Sequence, residues 1–395
     1  MGVIRKKPSI VLFGGLWAPN RCEHLTEFLI ASGYYVSGVF TDFYVTRKHH
    51  RNLIARVINK LTFQLLPFVE LFFKASFADV IYILPSNVSL INQALMVSRI
   101  FKNKIILELY DSMYTHYMEN KGSTSIDKQA IQKVKEDNVN LNPKNEKLAI
   151  KESDYIVHIA GYELEFLSKV LEINIPKDKV FIAPIFCPIR PRYSRSFMAD
   201  RVFRICWWGS FLPLHGLDYI LDALQILKRQ GINFECDLFG AYSAGSRAYF
   251  FEKYKQKIAQ EGLDSHVRLR RDLTFSDGKL PDYLRQNCDL ALGVFGETLK
   301  AKSSVPNKLV EALSMGIPTL TRCSPALEEF FDVDADLWTC QPSPESIAEA
   351  LVQIFHQKAR AVDWARTQEK VLKQFSVDNY KNVVGRVLEQ VRRDF

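Results

Sequence analysis

Apolar positions along the chain follow two alternating rhythms. Short, nearly continuous apolar runs alternate with longer stretches whose apolar residues recur every three or four positions. Buried strands therefore alternate with amphipathic helices. The first unit of this kind has a strand over 10–13, the pair Gly14-Gly15, a helix from about Arg21 to Ser32 ended by Gly33, and a strand over 35–40. This is a βαβ pattern. Further strands are expected over 80–84, 105–109, 155–159 and 180–183, with helices between them.

The pattern restarts near residue 202. A strand over 202–208 leads into a loop over 209–215 and an amphipathic helix over 216–229, closed by Gly231. Strands follow over 234–239, 267–269, 290–294, 319–321 and 337–339. The intervening 186–200 is rich in Pro and Arg and reads as a linker. The expected fold is α/β, with two Rossmann-like parallel-sheet domains in tandem and a cleft between them. In such sheets ligands bind at the carboxyl ends of the strands. The first domain spans 1–195 together with a last amphipathic helix over 376–395. The second spans 196–375. Two segments depart from the rhythm. Residues 114–151 are long and polar, and 47–74 are basic and then strongly apolar.

Composition adds three limits. With 395 residues, 47% of them apolar and 24% charged, the chain forms globular cores. Its seven cysteines are scattered, with no CxxC pair, which fits a reducing compartment and a cytoplasmic location. No signal peptide opens the sequence, and no apolar run is long enough to span a bilayer. The net charge of +8 lies entirely in the first half: residues 1–195 hold 26 Lys+Arg and 18 Asp+Glu, whereas 196–395 hold 26 of each. No nucleic-acid-binding motif accompanies this excess, so nucleic acid is not an expected partner. An anionic membrane surface is, with 47–74 either a core-packing helix pair or an interfacial helix.

The stretch VPNKLVEALSMGIPTL (305–320) carries the sharpest chemical signal. Pro306 opens a helix and Gly316 closes it, as helix ends prefer. Lys308 then places a cation in the first turn, where the helix dipole is already positive. A bound anion resolves that conflict; a solvated lysine is the plainer reading. Glu311 lies one turn on, on the same face. In WWGSFLPLHGLDYILDAL (207–224), Gly209 and Gly216 bracket a strand-to-helix loop that presents backbone N–H groups and His215 to an anion. Asp111 follows the strand ILELY at a carboxyl end and is a candidate general base or acceptor-orienting group. His116 and His158 read as structural. The alternating Asp332, Asp334 and Asp336 read as a solvated loop rather than a metal site. There is no GxSxG, HExxH, P-loop or zinc-ligand pattern, and Gly14-Gly15 with Asp42 lacks the third glycine of a dinucleotide fingerprint.

Together these stretches resemble the GT-B glycosyltransferases of the group 1, or family 4, type. The resemblance is carried best by 204–323, in the Gly-rich loop, the turn at Gly240 in CDLFGAYSAG, and the run CDLALGVFGETLKAKSSVPNKLVEALSMGIPTLT. It implies a retaining, metal-independent enzyme with a nucleotide-sugar donor in the second domain. Gly209, Ser210, Gly216, Gly240, Ser303, Pro306, Asn307 and Glu311 would bind that donor, with Glu311 on the ribose. Lys308 and His215 would meet the diphosphate, and Gly14, Gly15 and Asp111 would face the acceptor. No cofactor is implied. The family's first signature glutamate falls at Ser303, and two of its usual diphosphate cations fall at Ser210 and His215. The expected function is transfer of a sugar to a cell-surface polysaccharide or a lipid-linked acceptor, with peripheral membrane contact through 47–74. A sugar-nucleotide epimerase of the same fold and a non-catalytic binding partner are the alternatives.

Overall fold

The computed structural model describes residues 7–44, 65–112, 114–115, 143–187, 202–240 and 246–395. The linker expected over 186–200 and the basic run 47–60 lie largely or wholly outside these residues, as does His116. The chain divides into two compact units. One comprises 1–117, 140–184 and 377–395, and the other 118–139 and 185–376.

The first unit is built on a six-stranded sheet of order β2-β1-β3-β4-β5-β6, with every pairing parallel. Its strands are β1 (Ile10–Gly14), β2 (Val36–Phe40), β3 (Val80–Ile83), β4 (Lys104–Leu109), β5 (Tyr155–His158) and β6 (Val180–Ile182). Helices cover both faces, so β1 and β3 are buried at every position, as parallel strands require. The helix over 65–75 packs Leu71 and Ala75 into this core, with Phe72 against Phe101. Its other side leaves Leu66, Val69, Phe73 and, just beyond, Phe77 exposed. The part of 47–74 that is described is thus core-packing on one face and apolar but uncovered on the other.

The last helix, Val377–Asp394, belongs to this first unit. A buried polar cluster ties it down. Glu108 of β4 accepts from Arg21, from the Tyr82 hydroxyl (2.6 Å) and from the Tyr380 hydroxyl (3.1 Å). Arg21 also donates to the carbonyls of Ala183 and Pro184 and lies over the Tyr380 ring at 4.3 Å.

The second unit repeats the plan with order β12-β11-β10-β7-β8-β9. Its strands are β7 (Phe203–Trp208), β8 (Phe234–Phe239), β9 (Val267–Arg270), β10 (Leu290–Leu292), β11 (Thr319–Arg322) and β12 (Trp338–Cys340). One face of β7 and β8 carries Phe203, Ile205, Trp207, Cys236 and Leu238 under the helix Leu217–Arg229. The other carries Cys206, Trp208 and Phe239 under Leu280, Leu284 and Ala312. The loop over 332–336 departs from the expected solvated turn. Asp336 is buried, where it accepts from Lys370 and from the Asp332 N–H. It is a structural anchor, so an unpaired buried carboxylate does not arise.

Candidate active site

In an open α/β sheet the ligand crevice forms where the strand order reverses. In the second sheet that point lies between β7 and β10. The two loops leaving it are interlocked: the Phe295 N–H donates to the His215 carbonyl (3.1 Å). Gly216 has φ +69°, and a Cβ there would lie 2.5 Å from the Phe295 carbonyl carbon, so both backbone shape and space demand glycine. The Gly209 turn has φ +142°, and a Cβ would come within 3.1 Å of Lys308 Nζ. At Gly240, closing β8, the Phe211 ring occupies the place of a side chain.

Helix Asn307–Ser314 starts beside this crevice, with Pro306 as its N-cap. Lys308 is only 5% exposed, so the solvated-lysine reading is wrong for this chain. Its Nζ has no hydrogen-bond partner and lies 3.8 Å from the centroid of the Trp207 ring. Burial drives its amine well below the ordinary lysine range, opposed by Glu311. Burial, and then the neighbouring Lys308, also hold the His215 imidazole well below its ordinary range. His215 is therefore neutral at pH 7; its Nε2 meets the Ser210 hydroxyl at 3.1 Å, and Nδ1 has no partner. Glu311 is fixed by the Trp208 indole N–H, which donates to Oε2 at 2.7 Å. Gly209, Ser210, His215, Gly216, Lys308 and Glu311 are thus gathered at one place. Asn307 is exposed at the helix start.

Ser303 behaves differently. It ends the helix Leu299–Ser303 and is wholly buried, where it offers no open surface to a ligand. The exposed carboxylate near the end of β10 is Glu297, which accepts from the Tyr219 hydroxyl (2.9 Å). Sequence reasoning passed over Glu297, Trp207 and Trp208. The signal for Glu297 was an acid directly after the glycine that ends an apolar strand. Tandem tryptophans in a strand read simply as core.

In the first sheet the order reverses between β1 and β3, and Gly14-Gly15 leaves that point. The space beside Gly14 is taken by Asn87, whose amide group lies 2.6–2.7 Å from where a Cβ would stand. Asn87 accepts from the Gly15 N–H (2.8 Å) and donates to the Gly15 carbonyl (2.9 Å). The glycines therefore admit a protein side chain here, which a reading of the loop alone does not show. Asp111 is half-buried beyond the end of β4. At the end of the neighbouring strand β5, His158 is wholly buried, bonded to the Leu109 carbonyl and to Glu163 (3.0 Å). Glu146 accepts from the Tyr114 N–H, and its burial pushes its carboxyl up to about 7. Among the described residues no group of three or more His, Cys, Asp or Glu is arranged to hold a metal ion.

Comparison with known proteins places this geometry. Residues 202–357 match the family described as "Glycosyl transferases group 1". No curated protein matches the chain by sequence. Among solved structures, sucrose-phosphate synthase from Thermosynechococcus elongatus aligns with a TM-score of 0.69 at 14% identity, over 98% of this chain and 100% of the other. HepE of Anabaena in complex with UDP-glucose aligns at 0.62 and 12%, over 96% and 99%. The lipopolysaccharide outer core galactosyltransferase WaaB in its apo form aligns at 0.64 and 12%, over 97% and 99%. Residues 202–357 thus match the group 1 glycosyl transferase family, and the chain has the GT-B fold of these glycosyltransferase structures.

Proposed function

We propose that the protein transfers a sugar from a nucleotide-sugar donor to a polysaccharide or lipid-linked acceptor of the cell surface, with retained anomeric configuration and without a metal. The observation that carries this reading is Lys308, a buried amine with no hydrogen-bond partner at the sheet's reversal point and at a helix N-terminus. A buried amine without a hydrogen-bond partner is costly unless a ligand anion meets it. As the bond from the sugar C1 to the diphosphate oxygen breaks, negative charge grows on the leaving phosphate. Lys308, the N–H groups at the start of its helix, and the neutral His215 donate to it. Glu311 accepts from the ribose hydroxyls, and Glu297 supplies a carboxylate for the donor sugar that position 303 does not. Asp111 faces the acceptor. The structurally similar HepE of Anabaena is known in complex with UDP and with UDP-glucose, which supports a nucleotide-sugar donor here.

The test is a thermal-shift screen against UDP, GDP, ADP, dTDP and CMP with the wild type and Glu311→Ala. One nucleotide is expected to raise the melting temperature of the wild type and not of the variant. No shift with any of them overturns the reading.

We further propose that the first unit rests on an anionic cytoplasmic membrane face. Among the described residues no helix is long and apolar enough to cross a membrane. Support comes from the uncovered row Leu66, Val69, Phe73 and Phe77, the last two 64% and 80% exposed, and from the five Lys+Arg and no acid in 45–64. Phe73→Glu with Phe77→Glu is expected to abolish co-sedimentation with phosphatidylglycerol vesicles while leaving the nucleotide-induced shift intact. Undiminished co-sedimentation contradicts this placement.

A further inference from the structure

Adjacent residues of a strand point to opposite faces, so one helix crossing the strand's end can meet both. Here Trp207 and Trp208 close β7, and the helix Asn307–Ser314 brings Lys308 and Glu311 to them, three residues apart on one face. Each pair is made by a different physical contact. Lys308 Nζ sits 3.8 Å from the Trp207 ring centroid, on the electron-rich face. The Glu311 carboxylate accepts the Trp208 indole N–H at 2.7 Å.

We propose that the tandem Trp207-Trp208 is the positioning device of the nucleotide site, with one ring aiming the amino group of Lys308 and the other orienting the carboxylate of Glu311. This rests on the nucleotide-binding reading above and deepens it.

Three observations make the device rigid. Trp207 is wholly buried, with Phe211 5.7 Å away on a tilted ring and the His215 ring edge-on at 5.6 Å. Trp208 is 4% exposed, and Phe275 lies 5.9 Å from it on the other face of the sheet. Gly209 directly follows, and its missing side chain leaves the room that Lys308 Nζ uses. A lysine stem has four rotatable bonds, so an amine without a hydrogen-bond partner would otherwise sample many positions. The ring face selects one of them without taking up its N–H groups, which leaves the amine able to donate to a phosphate oxygen. The carboxylate of Glu311 likewise keeps acceptor capacity after it takes the single indole proton. Trp207 and Trp208 touch the binding groups and not the nucleotide, so both are positioning residues.

Trp208→Phe removes the indole N–H and keeps an aromatic ring in the same place. By calorimetric titration with UDP, or with whichever of the five nucleotides shifts the wild type, the variant is expected to bind about tenfold more weakly, the loss of one hydrogen bond to a charged group. Trp207→Leu removes the π face and is expected to weaken binding by a similar factor; Trp207→Phe, which restores a ring, recovers most of it. A structural role alone predicts no such rescue at equal melting temperature. A second readout needs no nucleotide. In protein labelled with 15N at tryptophan, the Trp208 indole N–H resonance, assigned by its loss in Trp208→Phe, is expected to move upfield in Glu311→Gln while the other four tryptophans stay in place. An unmoved Trp208 resonance, together with wild-type binding by Trp208→Phe, overturns the proposal. Failure of the wild type to bind any nucleotide overturns the function reading instead, and the resonance still reports on the Trp208–Glu311 bond.

Discussion

Lys308→Met is expected to lower the rate of sugar transfer about 10²–10³-fold, the loss seen when one preorganised donor is removed from a site of developing negative charge. The same variant is expected to unfold at a higher temperature than the wild type. The two effects share one cause. Lys308 is buried without a hydrogen-bond partner, so its charged form is disfavoured in the folded protein. Methionine matches the stem, packs on the Trp207 ring, and removes that penalty. The pH dependence has a definite sign. The amine's folded value lies below its unfolded one, so the unfolded chain binds more protons between the two, and wild-type stability rises with pH through that window. The penalty is therefore full below the folded value and gone above the ordinary lysine range. The stability advantage of Lys308→Met should accordingly be largest at low pH and shrink as the pH rises towards 10. Thermal melts at pH 6, 8 and 10, set beside the transfer rate, check this. A variant that loses activity and melts lower at every pH would mean that Lys308 holds the fold and does not wait for an anion.

Glu108→Gln is expected to produce the largest loss of stability, about 3–5 kcal/mol, the usual cost of removing one partner of a buried ion pair. Glu108 pairs with Arg21 in a cluster where both side chains are almost wholly inaccessible. Its substitution leaves the Arg21 charge in the core and loosens the hydroxyls of Tyr82 and Tyr380. Because Tyr380 lies on the last helix, that helix should detach first from the first unit. The loss should be confined to this unit. Urea unfolding followed by circular dichroism is expected to show one transition moved to lower denaturant, while the nucleotide-induced shift, which comes from residues 185–376, persists. Equal loss in both units would contradict this assignment of the cluster.

The contrast between these two sites shows what can be read in the chain. Lys308 was legible because its fault is local: a cation in the first turn of a helix conflicts with the dipole within a few residues. The strands were legible because parallel strands buried on both faces are continuous apolar runs, and the glycines that end them mark the turns. Glu108 was not. It sits in the apolar run KIILEL, where one acid resembles a strand edge, and its partners are 87 and 272 residues away. Asn87 escaped for the same reason: only folding brings it to Gly14-Gly15, 72 residues earlier. The resemblance pointed to the loop over 209–216 and the helix Asn307–Ser314, which the structure brings together. It also implied a donor-contacting residue at position 303, where the structure shows a buried serine at the end of the helix Leu299–Ser303.

The central claim is that residues 185–376 hold a nucleotide-sugar donor at the reversal between β7 and β10. A crystal structure with the nucleoside diphosphate selected by the thermal-shift screen tests it most directly. The account predicts a phosphate oxygen within hydrogen-bond distance of Lys308 Nζ, the ribose hydroxyls on Glu311, and backbone N–H groups of 209–216 facing the diphosphate. A nucleotide bound elsewhere, with Lys308 Nζ still against Trp207 and touching no ligand atom, would contradict it.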